Sequence, residues 1–455
     1  MKAVVVGGGI AGLTAALRLS QAGCQVDLFE ASARLGGLIC SVEVGGVPMD
    51  VGAEAFAVAR PAALELIQEL GLADAVVSPE TQEARILVGG RLIKIPHGVL
   101  GIPSDFDSPD VLAAIGAQAA AEAKQRDSQP WNIPQNPTLE ELVVGRLGVA
   151  VLETLVTPVV SGVHASSPSL LEADVVAPGL ADKARELGSL VAAVATIRQA
   201  AAKPGAAVAT LQGGMTSLIE ALLGALQSAG VKIFLNAAVS HISKNTDGYS
   251  VATQQGDLIQ ADAVILAATP KANAAMLAEF PDIATALRGI NAVDVTVVAL
   301  QAESKSLPSA PLGSGVLVAP GNNAVVAKAS THTTAKWKHA SERAGAGRHL
   351  IRLSYGRDGE APQASELLTQ TAKQDAVRLF GLNESDIRAV VTQEWPQSLI
   401  QARVGHKGLL NDLQIALAAQ PGLAVVGAGL GGNGITGIIA KTNDEMVRIL
   451  KTNAR

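Results

Sequence analysis

An α/β fold is predicted, with a Rossmann-like dinucleotide-binding domain, a mixed-sheet substrate domain and a helical insertion lobe, and three features of the sequence predict it. The apolar run Ala3-Val4-Val5-Val6 leads into Gly7-x-Gly9-x-x-Gly12, a helical stretch, a second apolar run and Glu30, which is the order of a βαβ unit that holds a dinucleotide. Apolar spacing is mostly helical from about 105 to 200 and alternates as in strands between about 294 and 355. At 455 residues the chain is long for one core, so two or three lobes are expected.

Each part of the first unit has a physical reason. Gly7 permits the tight turn, Gly9 lets the backbone approach a pyrophosphate, and Gly12 lets helix and strand pack closely, with Gly8, Ile10 and Ala11 completing the loop at the helix N-terminus. Glu30, eighteen residues past Gly12, is placed to accept a hydrogen bond from a ribose hydroxyl, and its charge repels an added 2′-phosphate, which disfavours NADP. The continuation Glu30-Ala31-Ser-Ala-Arg34-Leu-Gly36-Gly37 resembles the two-glycine extension of the large flavoprotein oxidases and dehydrogenases, and it favours FAD over NAD.

Met49-Asp50-Val51-Gly52-Ala53-Glu54-Ala55-Phe56 follows, then a helix ending near Gly71. Residues 85–95 read as a hairpin turning at Gly89-Gly90 and closed by Pro96-His97-Gly98. Within the helical region a Pro-rich linker spans 129–137, and Thr138-x-x-Glu141 is a capping box opening the next helix. After Thr210 a helix gives way to short strands at 232–235, 239–242, 249–252 and 263–267; the strands at 294–355 are followed by a helix over roughly 362–380 and a glycine-rich closing stretch. The expected FAD-binding domain is therefore discontinuous, formed by 1–84, 206–268 and 391–455. Residues 85–104 and 269–390 are assigned to the substrate-binding domain and 105–205 to the helical lobe.

A formal charge of −6 gives no global attraction to nucleic acid or anionic lipid. With 48% hydrophobic but only 2% aromatic residues, the pockets must be aliphatic. Cys24 and Cys40 are too few for a disulfide framework or a four-thiolate metal site, and the first strand begins within three residues of Met1; a cytoplasmic protein without signal peptide is expected. The uncharged run 421–440 has the length of a membrane span, but its seven glycines and an asparagine read as strand, loop and helix start. No transmembrane segment is expected, and a peripheral membrane contact is left open.

Several further stretches belong together. They are Gly52-Ala-Glu-Ala-Phe56; Leu87-Val-Gly-Gly-Arg-Leu-Ile-Lys-Ile-Pro96-His-Gly98 with Gly101-Ile-Pro103; Leu155-Val-Thr-Pro158-Val-Val-Ser161-Gly162-Val163-His164-Ala165; Gln212-Gly-Gly-Met215; Trp395 through Gly405-His406-Lys407; and Gly427 to Ile435. With the N-terminal motif, they resemble the protoporphyrinogen and coproporphyrinogen oxidases, FAD enzymes that aromatise porphyrinogens in haem synthesis, nearly end to end. The Gly101-Ile-Pro103 and Val404-Gly-His-Lys407 forms look like the bacterial coproporphyrinogen III oxidases.

That resemblance implies an amine-oxidase-like architecture, a porphyrinogen substrate, and molecular oxygen as the oxidant that returns the flavin to its starting state and yields hydrogen peroxide. It carries Gly52, Ala53, Glu54, Ala55, Val239, Trp395, Asn433, Gly434 and Ile435 to the flavin side. Gly162, Val163, His164 and Ala165 become the wall of a porphyrinogen pocket, and Arg85 a partner for a propionate. Lys328, an odd charge in an apolar run, is a second candidate for that cavity, and protection of an edge strand explains it as well. No side-chain acid or base is demanded of the protein, because hydride removal is the cofactor's chemistry; His164 is a candidate proton carrier or an ordinary packed histidine. Leu38, Cys40, Thr436 and Gly437 depart from the family pattern. The alternatives are oxidation of protoporphyrinogen IX, another activity of the superfamily such as amine oxidation or carotenoid desaturation, or a non-catalytic flavin-binding scaffold.

Overall fold

The computed structural model describes residues 1–81, 83–201, 207–360 and 364–453. A five-stranded parallel sheet runs in the order Lys232–Phe234, Gln25–Phe29, Lys2–Val6, Ala263–Leu266, Leu423–Val425. Its strands are near-continuous apolar runs because both faces are covered. On one face lie the helices Ile10–Gln21, Thr216–Ser228 and Ile435–Asn453, on the other the antiparallel sheet Val239–Asn245, Gly248–Thr253, Leu258–Ala261 and the helices Pro270–Met276, Pro281–Gly289 and His406–Ala418.

A second, mixed sheet has seven strands, ordered Ile387–Ile400, Ala292–Glu303, Arg348–Tyr355, Ala329–His332, Gly315–Val318, Arg85–Val88, Arg91–Lys94. Only the Gly315–Val318 and Arg85–Val88 pair is parallel. Arg85–Val88 and Arg91–Lys94 form the expected hairpin, Val88 opposite Arg91 across the glycine pair. Between the two strand-bearing regions the helical segment builds its own core from Val111, Leu142, Leu155, Leu180 and Val194, joined by Ile86, Ile93 and Ile102 of the hairpin region. The Thr138–Glu141 capping box is formed on both sides, opening the helix Leu139–Leu147.

Two boundaries and one strand differ from the sequence reading. Pro270–Met276 and Pro281–Gly289, assigned to the substrate domain, pack instead on the parallel sheet through Ala274, Met276, Ile283 and Leu287. Ile387–Ile400 pairs along its length with Ala292–Glu303, so residue 391 lies inside a substrate-sheet strand. The short strand Leu258–Ala261, which the sequence reading left out, pairs with Gly248–Thr253. The boundary at 205/206 and the helix start at 362 lie outside the described residues; the helix itself is Ser365–Phe380.

Candidate active site

A cavity of about 470 Å3 opens where the parallel strands end, between Val6-Gly7, Phe29-Glu30, Ala267-Ala268 and Gly427. Ligands of open α/β sheets bind at these carboxyl ends. The glycines divide their tasks. A Cβ on Gly12 would lie 1.8 Å from the Gly7 carbonyl oxygen, so that glycine seats the helix against the strand. A Cβ on Gly9 would meet only the Gly37 Cα, at 3.8 Å, so that glycine keeps room for a ligand. No side chain caps the helix that begins at Ile10, which leaves its N-terminal amides and positive dipole end to an anion. The Gly8 amide donates to Glu30 Oε2 at 2.7 Å, while the Ser32 amide and hydroxyl donate to Oε1 at 2.8 and 2.7 Å. These bonds hold the carboxylate in place beside the cavity.

At the far end, Trp395 Nε1 donates to the Val51 carbonyl at 2.9 Å and the Arg34 guanidinium stands 5.5 Å from the Trp395 ring centroid. Asn433 clasps Ile400, accepting from its amide at 2.8 Å and donating to its carbonyl at 2.9 Å. Of the residues assigned to the cofactor from the sequence, Gly7, Gly9, Ile10, Ala11, Glu30 and Ala31 line the near end. Gly36, Gly37, Ala53, Val239, Trp395, Asn433 and Ile435 line the rest. Gly8 and Gly12 act beside the cavity as described. A Cβ on Gly52 would lie 1.7 Å from the Leu38 carbonyl oxygen, so Gly52 serves packing. Ala55 and Gly434 are not among the lining residues.

Glu54 is the clearest correction. Its carboxylate is turned away from the cavity and pairs with Lys336 Nζ at 2.5 Å and Arg352 Nη1 at 3.2 Å. Burial alone would raise its pKa, but the two cations hold it below the ordinary value. Arg352 also donates to the Gly52 carbonyl at 2.9 Å, so this cluster fastens the seven-stranded sheet to the segment flanking the cavity.

In the helical lobe, the helix Thr157–His164 runs past the seven-stranded sheet so that a Cβ on Gly162 would come 2.7 Å from Leu317 Cδ2 and 3.4 Å from the Lys328 carbonyl oxygen. Ala165 ends the helix in a left-handed turn, and its carbonyl accepts from the Asp358 amide at 2.7 Å. The His164 carbonyl accepts from Gln401 Nε2 at 2.8 Å. Gln401 directly follows Ile400, the residue clasped by Asn433, so the 162–165 loop is tied to the far end of this cavity. Val163 is half exposed, and burial lowers the His164 pKa, which keeps its ring neutral near pH 7.

Lys328 does not sit within a strand. The amides of Val326 and Ala327 are taken by the Asp375 carboxylate at 2.8 to 3.2 Å, so pairing resumes only at Ala329. Its backbone bonds to Ser354 on one side and Val318 on the other, which removes edge protection as its explanation. The side chain is buried, Nζ donates to the Gly356 carbonyl at 2.8 Å, and burial with the nearby Arg357 charge lowers its pKa to about 7. Arg85 is half-buried and opposite Val316; its side chain makes no hydrogen bond or ion pair among the described residues. The sheet thus gathers Gly162 and Lys328, with the Arg85 strand alongside.

The family model for flavin-containing amine oxidoreductases matches residues 10–434. The chain belongs to that family. It is an oxidoreductase of a flavin-containing family. The chain is 32% identical to coproporphyrinogen III oxidase of Mycobacterium tuberculosis strain H37Rv, over 98% of its own length and 97% of the relative's. It is 29% identical to the enzyme of the same name from Bacillus subtilis, over 95% and 94%. A crystal structure from Exiguobacterium sp. 255-15, provisionally assigned as a protoporphyrinogen oxidase, superposes with a TM-score of 0.85 at 25% identity over 98% of both chains.

Sequence reasoning missed the stretch Ala267-Ala268-Thr269-Pro270 and the residue Gln397, which also line the cavity. The first was accessible in principle: it follows an apolar strand and opens a helix with Thr269 as N-cap, the place where a parallel sheet presents ligands. Gln397, held at φ 49° with its amide donating to Asp294 Oδ1 at 2.7 Å, carries no such local sign. Among the described residues no helix is long and apolar enough to cross a membrane.

Proposed function

We propose that the chain oxidises coproporphyrinogen III to coproporphyrin III with FAD as cofactor and molecular oxygen as final acceptor, as a cytoplasmic step of haem synthesis. The observation that carries this reading is the tie through Gln401 between the 162–165 loop and the Ile400–Asn433 end of the cavity. A porphyrinogen wall in that loop would lie close to a flavin held in the cavity. The names of the mycobacterial and Bacillus relatives support the substrate.

The glycine cradle, Glu30 and the aliphatic walls fit an adenine dinucleotide, and Trp395 and Asn433 would be among the residues that hold its ring system. Bound there, FAD supplies the acceptor for three successive two-electron oxidations, in which the substrate loses three hydrides and three protons and three molecules of oxygen become hydrogen peroxide. The protein's own work is placement. Gly162 lets the helix lie close against Leu317 and the Lys328 carbonyl, which sets the loop beside the sheet, and neutral His164 is able to take a proton released near the loop. Lys328 and Arg85 offer charge to propionates. A carboxylate bound beside Lys328 would favour its charged form and offset the effect of burial.

Turnover of the purified holoprotein on coproporphyrinogen III and protoporphyrinogen IX, followed by porphyrin fluorescence, tests the proposal. Faster turnover of the four-propionate substrate is expected. Activity on protoporphyrinogen IX alone would replace the reading with the second one, which the likeness to the Exiguobacterium structure supports. Oxidation of a polyamine and of neither porphyrinogen would remove both.

A further inference from the structure

The glycine turn Gln212-Gly213-Gly214-Met215 does not line the flavin cavity. It borders a second niche, of about 20 Å3, where three parts of the chain meet. The strand Val47–Asp50 and Glu54 form one side, the turn and Thr210 another, and the helices Thr333–Lys336 and Lys338–Ala344 of the substrate sheet the third. Asp50 Oδ2 accepts from the Met215 amide at 2.9 Å. A Cβ on Gly214 would stand 3.3 Å from that carboxylate, so glycine keeps the niche open.

Four of the lining side chains carry a buried polar atom without a hydrogen-bond partner among the described residues: Thr210 Oγ1, Thr333 Oγ1, Trp337 Nε1 and His339 Nδ1. Thr210, Thr333 and Trp337 are 1%, 7% and 2% exposed, and buried groups of this kind are satisfied by protein or by ordered water in native proteins. The indole N–H can only donate, whereas an ionised carboxylate can only accept. A cation in the niche would face the indole N–H and the Arg343 guanidinium, and an anion would face Asp50 and Glu54. An occupant that both accepts and donates suits the indole N–H and the Asp50 carboxylate together, and a site of about 20 Å3 is large enough for one water, which needs roughly 10–15 Å3 and two to four polar partners. Burial, reinforced by the Glu54 charge, lifts Asp50 to about 6, which leaves it an acceptor at neutral pH.

We propose that the niche is a structural water site, in which one water molecule accepts from Trp337 and donates to Asp50 and thereby keys the helices of the substrate sheet onto the flavin-binding lobe. The site is independent of which porphyrinogen is oxidised.

A double-mutant cycle on the holoprotein tests it, with Trp337→Phe and Asp50→Asn measured by urea midpoint. The two side chains share no direct hydrogen bond among the described residues, so a bridge through a common water is expected to make the double variant lose clearly less than the sum of the single losses. Additive losses would overturn the proposal. Should a variant fail to fold, a crystal structure of the unaltered holoprotein decides. A single peak within hydrogen-bond distance of both Trp337 Nε1 and an Asp50 oxygen is expected. No peak there, or one coordinated by oxygens alone, would overturn it.

Discussion

Gly7, Gly9, Gly12 and Glu30, which shape one end of the cavity proposed for the flavin, come from a single strand-helix-strand run, whereas the proposed substrate side brings together Gly162, Leu317, Lys328, Gly356 and Gln401 from separate elements. In the first region the geometry is local: a turn needs a left-handed residue, and the helix start points at the ligand. In the second, the neighbours meet only because a seven-stranded sheet and a helix cross. Local chemistry therefore specifies the cofactor side, and tertiary packing assembles the substrate side.

The largest expected effect separates two glycines of the same motif. Gly12→Ala places a methyl carbon 1.8 Å from the Gly7 carbonyl oxygen, whereas Gly9→Ala meets nothing nearer than 3.8 Å. Gly12→Ala is expected to abolish the folded flavoprotein. Gly9→Ala is expected to fold, with a circular dichroism spectrum like the parent's, yet to bind flavin at least tenfold more weakly by absorbance titration. Equal loss of fold in both would break the division between packing and ligand glycines.

Glu54→Ala sharpens the comparison from the other direction, because this residue reads as a flavin contact in the sequence and stands in the structure as the partner of Lys336 and Arg352. Removing one member of a buried ion cluster costs about 3–5 kcal/mol, so a large fall in the urea midpoint is expected with little change in flavin affinity once folded. The Glu54 folded-state pKa lies below its ordinary 4.5. Its stabilising contribution is therefore complete above pH 4.5 and is lost as pH falls through the lowered value. A parent that keeps this contribution in acid would contradict the assignment.

Lys328→Met is expected to raise the KM for coproporphyrinogen III several-fold while kcat stays close to the parent's, because the charge places the substrate and takes no part in hydride removal. Stability gives a second readout. The folded-state pKa is about 7 against an ordinary 10.5, so the parent gains stability as pH rises from about 7 to 10.5 and bears the full cost of the buried charge below 7. The variant is expected to lack that rise. A parallel pH dependence in both proteins would exclude a buried, strained charge at this position.

These contrasts also mark what could be read from the chain alone. The glycine motif, the hairpin turn at Gly89-Gly90 and the capping box rest on neighbours a few residues apart, and they stand in the structure as local patterning requires. Glu54 was misread because its partners lie 282 and 298 residues away, while its own neighbours belong to a cofactor-flanking stretch. Lys328 was placed in a strand because its flanking residues are apolar; the Asp375 carboxylate that interrupts the pairing lies on a helix 48 residues downstream of Ala327. Ile387–Ile400 crosses the expected boundary because its pairing partner, Ala292–Glu303, and not its own composition, fixes its lobe.

The smallest effect probes the helical lobe, whose described residues contribute the 162–165 loop but none of the lining of the cavity proposed for the flavin. Thr138 Oγ1 accepts from the Glu141 amide at 3.0 Å, and Glu141 Oε2 accepts from the Thr138 amide at 2.9 Å. Thr138→Ala removes one side of this reciprocal cap and is expected to cost about 1 kcal/mol in chemical unfolding. The Leu139 amide also donates to the Leu171 carbonyl at 2.9 Å, so fraying at this helix start reaches the segment that follows the substrate loop. Flavin content should therefore match the parent's, while KM for the porphyrinogen rises slightly. A loss of flavin at unchanged KM would place this helix in the cofactor's support and break the separation between the two sides.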